Sequence, residues 1–330
     1  MHIPENYLSP ATCGVMTVGM IPAWVHSVKK VSKELPKEKV AMLGVGAAFS
    51  FLGMLFNVPL PGGTTGHAVG GTLIALLFGP EAACIAVTIA LLIQAVLFGD
   101  GGILAFGANC FNMAFILPFV GYYLYTFIKG KIKGTKGELI GAIVGSYIGL
   151  NAAAFLTSIE FGIQPYLFKD PSGYPLYCPY GLNISIPAMM IPHLLVAGVV
   201  EALFTVFVYS FIKKTSPQVI SDGVEKTGKK PFPVFALVAA LVVLTPLGLL
   251  ASGTAWGEWG ADEIAEIVQN GSELGFTPSG METGFGFEAI MPDYTIGDIN
   301  EVVAYIASAI CGVALLVIFF KIVSSFKKEK

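Results

Sequence analysis

Long apolar runs separated by short polar joints set the pattern of this chain. At about 20 residues per membrane crossing, the runs predict spans near 8–28, 39–57, 67–79, 81–98, 108–128, 138–160, 187–212, 232–251 and 302–322. The third and fourth are short and separated only by Gly79-Pro80-Glu81, so they read as a tight helical hairpin. The pattern predicts an all-α membrane protein, a polytopic helical bundle with a seven-helix core and two additional C-terminal transmembrane helices. The joint 213–231, rich in lysine and carrying Pro217, Gly223 and Gly228, divides a transmembrane domain at 1–212 from a two-helix region at 232–330. The first run has no basic leader and no small-residue cleavage pattern, so it reads as a retained span.

Charge orients the bundle. Every basic residue is a lysine, and in a nine-span arrangement eighteen of them fall on one side, leaving only Lys169 on the other. The positive-inside rule then puts the N-terminus outside and the C-terminus in the cytoplasm. Residues 252–301 hold ten acidic residues and no basic one, as an external loop would. With 55% hydrophobic residues, 12% charged residues and a net charge of −3, the chain has the bilayer as its main surroundings, and it has no basic face for nucleic acid. The five cysteines lie mostly in apolar runs without paired spacing, so they read as small hydrophobes.

The candidate chemistry lies at the start of the chain. The Met1 amine, the His2 backbone nitrogen once deprotonated, and the near ring nitrogen of His2 can close two fused rings around one ion. Such a set is planar and all-nitrogen, which suits nickel(II) or copper(II) better than tetrahedral zinc or oxygen-seeking calcium and magnesium. A glycine-rich loop, Pro59-Leu-Pro-Gly-Gly-Thr-Thr-Gly-His67, is predicted on the same external side. Gly62, Gly63 and Gly66 allow it to fold into the bundle and present His67 as a fourth ligand at the first turn of a helix, where the dipole disfavours imidazolium.

Other polar positions are candidates for support. Gln94, Asp100 and Asn109 flank the external run Phe98-Gly-Asp-Gly-Gly102 and could orient the ligands by hydrogen bonding, although loop capping explains Asp100 equally well. His193 and Glu201 lie eight residues apart on similar helical faces and could form a buried polar pair or contact another subunit, whereas His26 sits beside the first lysine cluster and reads as interfacial. Gly141, Gly145 and Gly149 form a stripe for close helix packing. The sequence contains no phosphate-binding loop, no His-Glu-x-x-His and no Gly-x-Ser-x-Gly elbow, so neither ATP hydrolysis nor hydrolase chemistry is expected of this chain.

The combination of Met1-His-Ile-Pro-Glu-Asn-Tyr-Leu-Ser-Pro10, Gly62-Gly-Thr-Thr-Gly-His-Ala-Val-Gly-Gly71, Gln94-Ala-Val-Leu-Phe-Gly-Asp-Gly-Gly102 and Gly107-Ala-Asn109 resembles the CbiM/NikM family. That family supplies the substrate-binding component of energy-coupling factor transporters for cobalt or nickel. The resemblance covers about residues 1–212 and implies Met1, His2 and His67 as metal ligands. Residues 231–330 look like the small auxiliary N component fused behind it. The resemblance further implies Ni2+ or Co2+ as transported ligand, no catalytic cofactor, a prokaryotic plasma membrane location, and partners in a transmembrane coupling subunit and two ATPase subunits. The form Gly-Thr-Thr-Gly-His67 tilts the reading toward nickel. Two alternatives stay open: an autonomous secondary metal permease, and a membrane metalloenzyme or sensor that keeps its ion.

Overall fold

Local signals fix where the helices begin. The Ser9 Oγ accepts a hydrogen bond from the Thr12 N–H at 3.1 Å, and Pro10 occupies the first turn, so α1 starts at Pro10 and runs to Glu34. Asn300 caps the last long helix in the same way, accepting from the Val302 N–H at 3.0 Å. The computed structural model describes residues 1–61, 63–220, 232–251, 253–269 and 272–327. After α1 come α2 (Lys37–Leu55), α3 (Gly71–Phe78), α4 (Pro80–Phe98), α5 (Phe106–Lys131), α6 (Gly134–Leu167), α7 (Leu182–Thr215), α8 (Phe232–Leu250) and α9 (Glu301–Ser325). One antiparallel hairpin, β1 (Val58–Leu60) and β2 (Thr64–Gly66), joins α2 to α3 with Pro59 opposite Thr65.

Eight of these helices are long and apolar enough to cross a membrane. The exception corrects the expected third span at 67–79. Its helix, α3, has 8 residues and so extends only about 12 Å, well short of an apolar core of roughly 30 Å. The chain instead descends from the β1–β2 hairpin through the non-helical stretch 67–70 and completes the passage with α3. Phe78 and Gly79 line the same cavity as Lys30 and Lys39, so this passage still ends among the lysines. Irregular backbone at this depth is tolerated because protein surrounds it, and all eight residues of α3 are buried.

The two chain ends lie at opposite ends of the bundle. Lys327 donates to the Val31 and Leu35 carbonyls at the foot of α1, while Met1 meets the loop that follows α8. Of the expected joint at 213–231, residues 213–215 continue α7, and 221–231 lie outside the described residues. The glycine stripe of α6 lies on α5: a Cβ at Gly141 would stand 3.0 Å from the Tyr125 carbonyl oxygen, and one at Gly149 2.6 Å from that of Leu117. α9 lies along α2, where the Tyr305 hydroxyl donates to the Leu55 carbonyl at 2.9 Å. The five cysteines are free thiols.

The external loop between α8 and α9 closes over the N-terminal segment. Trp256 packs its ring edge-on against Trp259 and at a tilt against Tyr180 and Phe161, with centroids 5.7, 5.6 and 6.2 Å away. Its backbone N–H donates to the Thr64 hydroxyl on β2 at 2.6 Å. Asn6 and Phe285 exchange two hydrogen bonds, of 2.9 and 3.0 Å. This loop therefore touches both elements that carry the candidate ligands.

Candidate metal-binding site

The first eight residues thread into the bundle ahead of α1 as a non-helical segment that turns at Glu5–Leu8, where Asn6 takes a φ of 59°. Ile3 is fully buried; its N–H donates to the Asn109 Oδ1 at 2.7 Å, and its carbonyl accepts from the Asn109 Nδ2 at 3.0 Å and the Gly102 N–H at 2.8 Å. The Glu5 carboxylate accepts from the Ile103 and Leu104 amides, and the Ser9 N–H donates to the Gln164 Oε1 at 3.0 Å. Each backbone group so satisfied removes an incentive for the segment to return to water. The result is a buried N-terminus, with Met1 and His2 only 6% and 3% exposed.

His67 arrives from the opposite wall. Glu201, on α7 and fully buried, accepts from the Val69 N–H at 2.8 Å and from the Gly70 N–H at 3.0 Å, pinning the chain just after His67. Gly70 adopts φ 71°, ψ 11°, a left-handed conformation that glycine reaches without strain, and α3 begins only after it. His67 thus stands four residues ahead of the helix, not in its first turn, and the expected dipole contribution does not apply. Its ring lies 5.1 Å from that of His2, centroid to centroid, with the planes 40° apart. The Nε2 atoms of both imidazoles are buried and have no hydrogen-bond partner. Two orphaned lone-pair or N–H sites side by side are costly unless something else engages them.

Two carboxylates hold the remaining nitrogens. The Met1 α-ammonium donates to the Glu258 Oε1 at 2.6 Å, and the His2 Nδ1 lies 3.1 Å from the Asp100 Oδ1. Burial alone would raise the Glu258 carboxyl; the Met1 ammonium and then His2 overcome that and hold it below its ordinary range. Asp100 is fixed in turn: the Tyr294 hydroxyl donates to its Oδ2 at 2.5 Å and the Gln94 Nε2 at 3.1 Å. A π-helical turn at Gln94–Phe98 carries Gln94 to Asp100, and a second at Cys110–Ile116 begins one residue after Asn109. Among the described residues no three His, Cys, Asp or Glu side chains converge as a ready metal cage.

Comparison with known proteins places this arrangement in a family. The model described as the cobalt uptake substrate-specific transmembrane region, CbiM, matches residues 2–219. The chain belongs to the CbiM family. A PDGLE domain matches residues 230–329 of this CbiM-family chain, so a second module is fused behind the first. The chain is 50% identical over 325 residues to the probable fused nickel transport protein LarMN of Lactiplantibacillus plantarum, covering 97% of each. It is 42% identical to the fused nickel transport protein NikMN of Rhodobacter capsulatus, covering 96% of this chain and 95% of that one. A crystal structure of a truncated transition metal transporter is 54% identical, with a TM-score of 0.61, over 65% of this chain and 99% of the other.

Within the CbiM-family fold the sequence candidates separate clearly. Met1, His2 and His67 come together, Asp100 and Gln94 form a relay onto His2, and Asn109 grips the Ile3 backbone and no ligand side chain. Gly63 takes a positive φ of 78°, and a Cβ at Gly66 would strike Leu60 at 2.7 Å, while Gly62 lies outside the described residues. His193 and Glu201 do not pair: His193 Nδ1 faces the Met189 carbonyl at 2.7 Å, and Glu201 anchors the His67 loop. His26 is exposed and lies 3.6 Å from Glu81 at the lysine end. Sequence reading missed Glu258 and Tyr294, which reach the site from a loop whose only signal was its acidity.

Proposed function

We propose that this chain is the substrate-capture subunit of an ATP-driven importer of the energy-coupling factor type, specific for nickel(II) or cobalt(II). One observation carries the reading: the buried His67 imidazole, its Nε2 unpartnered, has its ring centroid 5.1 Å from that of His2, beside the chain's amino terminus. The Met1 amine, the His2 backbone nitrogen, a His2 ring nitrogen and His67 make a four-nitrogen set whose planar preference favours nickel and penalises zinc and manganese. Glu258 and Asp100 hold two of these nitrogens at rest and release them when the ion arrives. The names of the relatives, nickel transport and cobalt transport proteins, support the choice of cargo.

In this reading residues 1–212 form the metal-binding transmembrane domain and residues 232–330 an N-component-like region whose external loop closes the site. The ion enters from the side away from the lysines and leaves inward when separate partners, a transmembrane coupling subunit and two ATPases, reorient the subunit. The chain itself is a transport subunit and no enzyme, in keeping with a sequence that lacks a phosphate-binding loop. Equilibrium dialysis of the purified protein against nickel tests the site: one ion per chain is expected, lost on His67→Ala or His2→Ala. Undiminished binding in His67→Ala would overturn it. Vesicle uptake of nickel only in the presence of the ATPase partners is the corresponding test of energy coupling.

A further inference from the structure

Outward of the two imidazoles the fold leaves a partly open cavity of about 530 Å³. His2 and His67 line it, together with four carboxylates, Asp100, Glu258, Asp293 and Glu301, and no lysine or arginine is among its lining residues. Three of the four acids come from the external part of the C-terminal region. Asp100 is engaged by His2, Gln94 and Tyr294, and Glu258 by the Met1 ammonium. Asp293 and Glu301 have no cationic partner among the described residues and leave an uncompensated negative wall.

The backbone at this wall is held under strain. Asp293 and Tyr294 adopt φ of 51° and 61°, a left-handed pair that is strained for residues other than glycine. Three bonds impose it: the Tyr294 hydroxyl on Asp100, the Met291 N–H on the Leu97 carbonyl at 2.7 Å, and the Ser308 hydroxyl on the Tyr294 carbonyl at 3.1 Å. An independent observation says what the cavity serves: the Nε2 atoms of its two lining imidazoles are buried and unpartnered.

We propose that this cavity is an outer holding site for a hydrated divalent cation, in which Asp293 and Glu301 attract the ion through its water shell and deliver it to the nitrogens beneath. The inference rests on the capture function above and adds a step before it. The carboxylates do not converge into a coordination cage, so the ion keeps its waters here and is stripped only where His2 and His67 wait. Space suffices, since a hexahydrated ion needs about 200 Å³ at roughly 30 Å³ per water. An acidic cleft with low-dielectric walls raises the local cation concentration and the association rate tenfold or more. Oxygen donors also hold calcium and magnesium, so the outer site accepts ions that the nitrogen site refuses.

Stopped-flow mixing of the full-length protein with nickel chloride tests this, read by tryptophan emission and by the absorption of the bound ion. The double variant Asp293→Asn, Glu301→Gln is expected to associate about tenfold more slowly and to lose most of its salt dependence, yet to bind one nickel with an unchanged absorption maximum. Millimolar calcium should slow association in the unsubstituted protein and leave the variant unaffected. The exposed pair Glu282→Gln, Glu288→Gln, which removes the same charge outside the cavity, is the control. An unchanged rate in the first variant, or an equal slowing in the control, overturns the outer site. Failure of the unsubstituted protein to bind nickel at equilibrium overturns the capture function instead.

Discussion

The Met1 α-ammonium and the Glu258 carboxylate, 257 positions apart in the chain, meet at 2.6 Å on the external side of the bundle. The pair locks the loop after α8 over the N-terminal segment. Breaking a fully buried ion pair costs about 3–5 kcal/mol, and Glu258 keeps 19% side-chain exposure, so Glu258→Ala is expected to cost about 2 kcal/mol. The loss should be local as well as global, with faster amide exchange at 253–267 and a red shift from Trp256 and Trp259. Thermal unfolding, exchange and emission identical to the parent would show that the aromatic contacts alone seat the loop.

Placing one residue ahead of Met1 tests the amine directly. The extension keeps every side chain, yet the primary amine moves one residue away and an amide takes its place. Because the amide left at Met1 would have to lose a second proton to coordinate, and the new amine is carried away from its contact with Glu258, nickel affinity should fall at least a hundredfold. Titration calorimetry on extended and unextended protein reads the difference. Equal heats in the two would remove the amine from the ligand set.

Much of this arrangement was legible in the sequence, because its carriers are local. A histidine at position 2 beside an amine, and a histidine closing a glycine loop, need no tertiary knowledge. Glu258 and Tyr294 were not legible, since nothing in an acidic loop says which of its residues will reach Met1 or Asp100 after folding. The third span was overread for a different reason: Ala68 and Val69 count as apolar, but the Val69 and Gly70 amides are taken by Glu201 from another helix, and the left-handed Gly70 stops helix before Gly71. Hydropathy sees the side chains and misses that the backbone has already been satisfied.

Glu201 offers a test of that anchoring. Glu201→Ala leaves the Val69 and Gly70 N–H groups buried without an acceptor, at about 1–3 kcal/mol each. The His67 loop should then sample several positions, lowering nickel affinity about tenfold although no ligand is removed. Glu201→Gln retains one acceptor oxygen and should recover part of the loss. Equilibrium dialysis gives the affinities, and amide exchange at 67–70 distinguishes a loosened loop from general destabilisation. If Glu201→Ala binds nickel like the parent, the loop holds itself without the carboxylate.

Gly102 shows how closely the N-terminal segment is fitted. A Cβ there would stand 2.8 Å from the Glu5 nitrogen and 2.9 Å from both the Glu5 Cα and the Pro4 carbonyl carbon, all of them backbone atoms that no rotamer change can move aside. Gly102→Ala must therefore push the segment outward, lengthening the Gly102 N–H bond to the Ile3 carbonyl, now 2.8 Å, and dragging Met1 and His2 off their positions. Nickel affinity should drop tenfold or more with every proposed ligand still present, because the planar four-nitrogen set proposed above would tolerate little displacement. Gly14→Ala on α1, where a Cβ would meet nothing within 4 Å, should leave affinity unchanged. Equal affinity for the two variants in the same dialysis experiment would mean that the segment is free to slide, and that its burial does not set the geometry of the ligands.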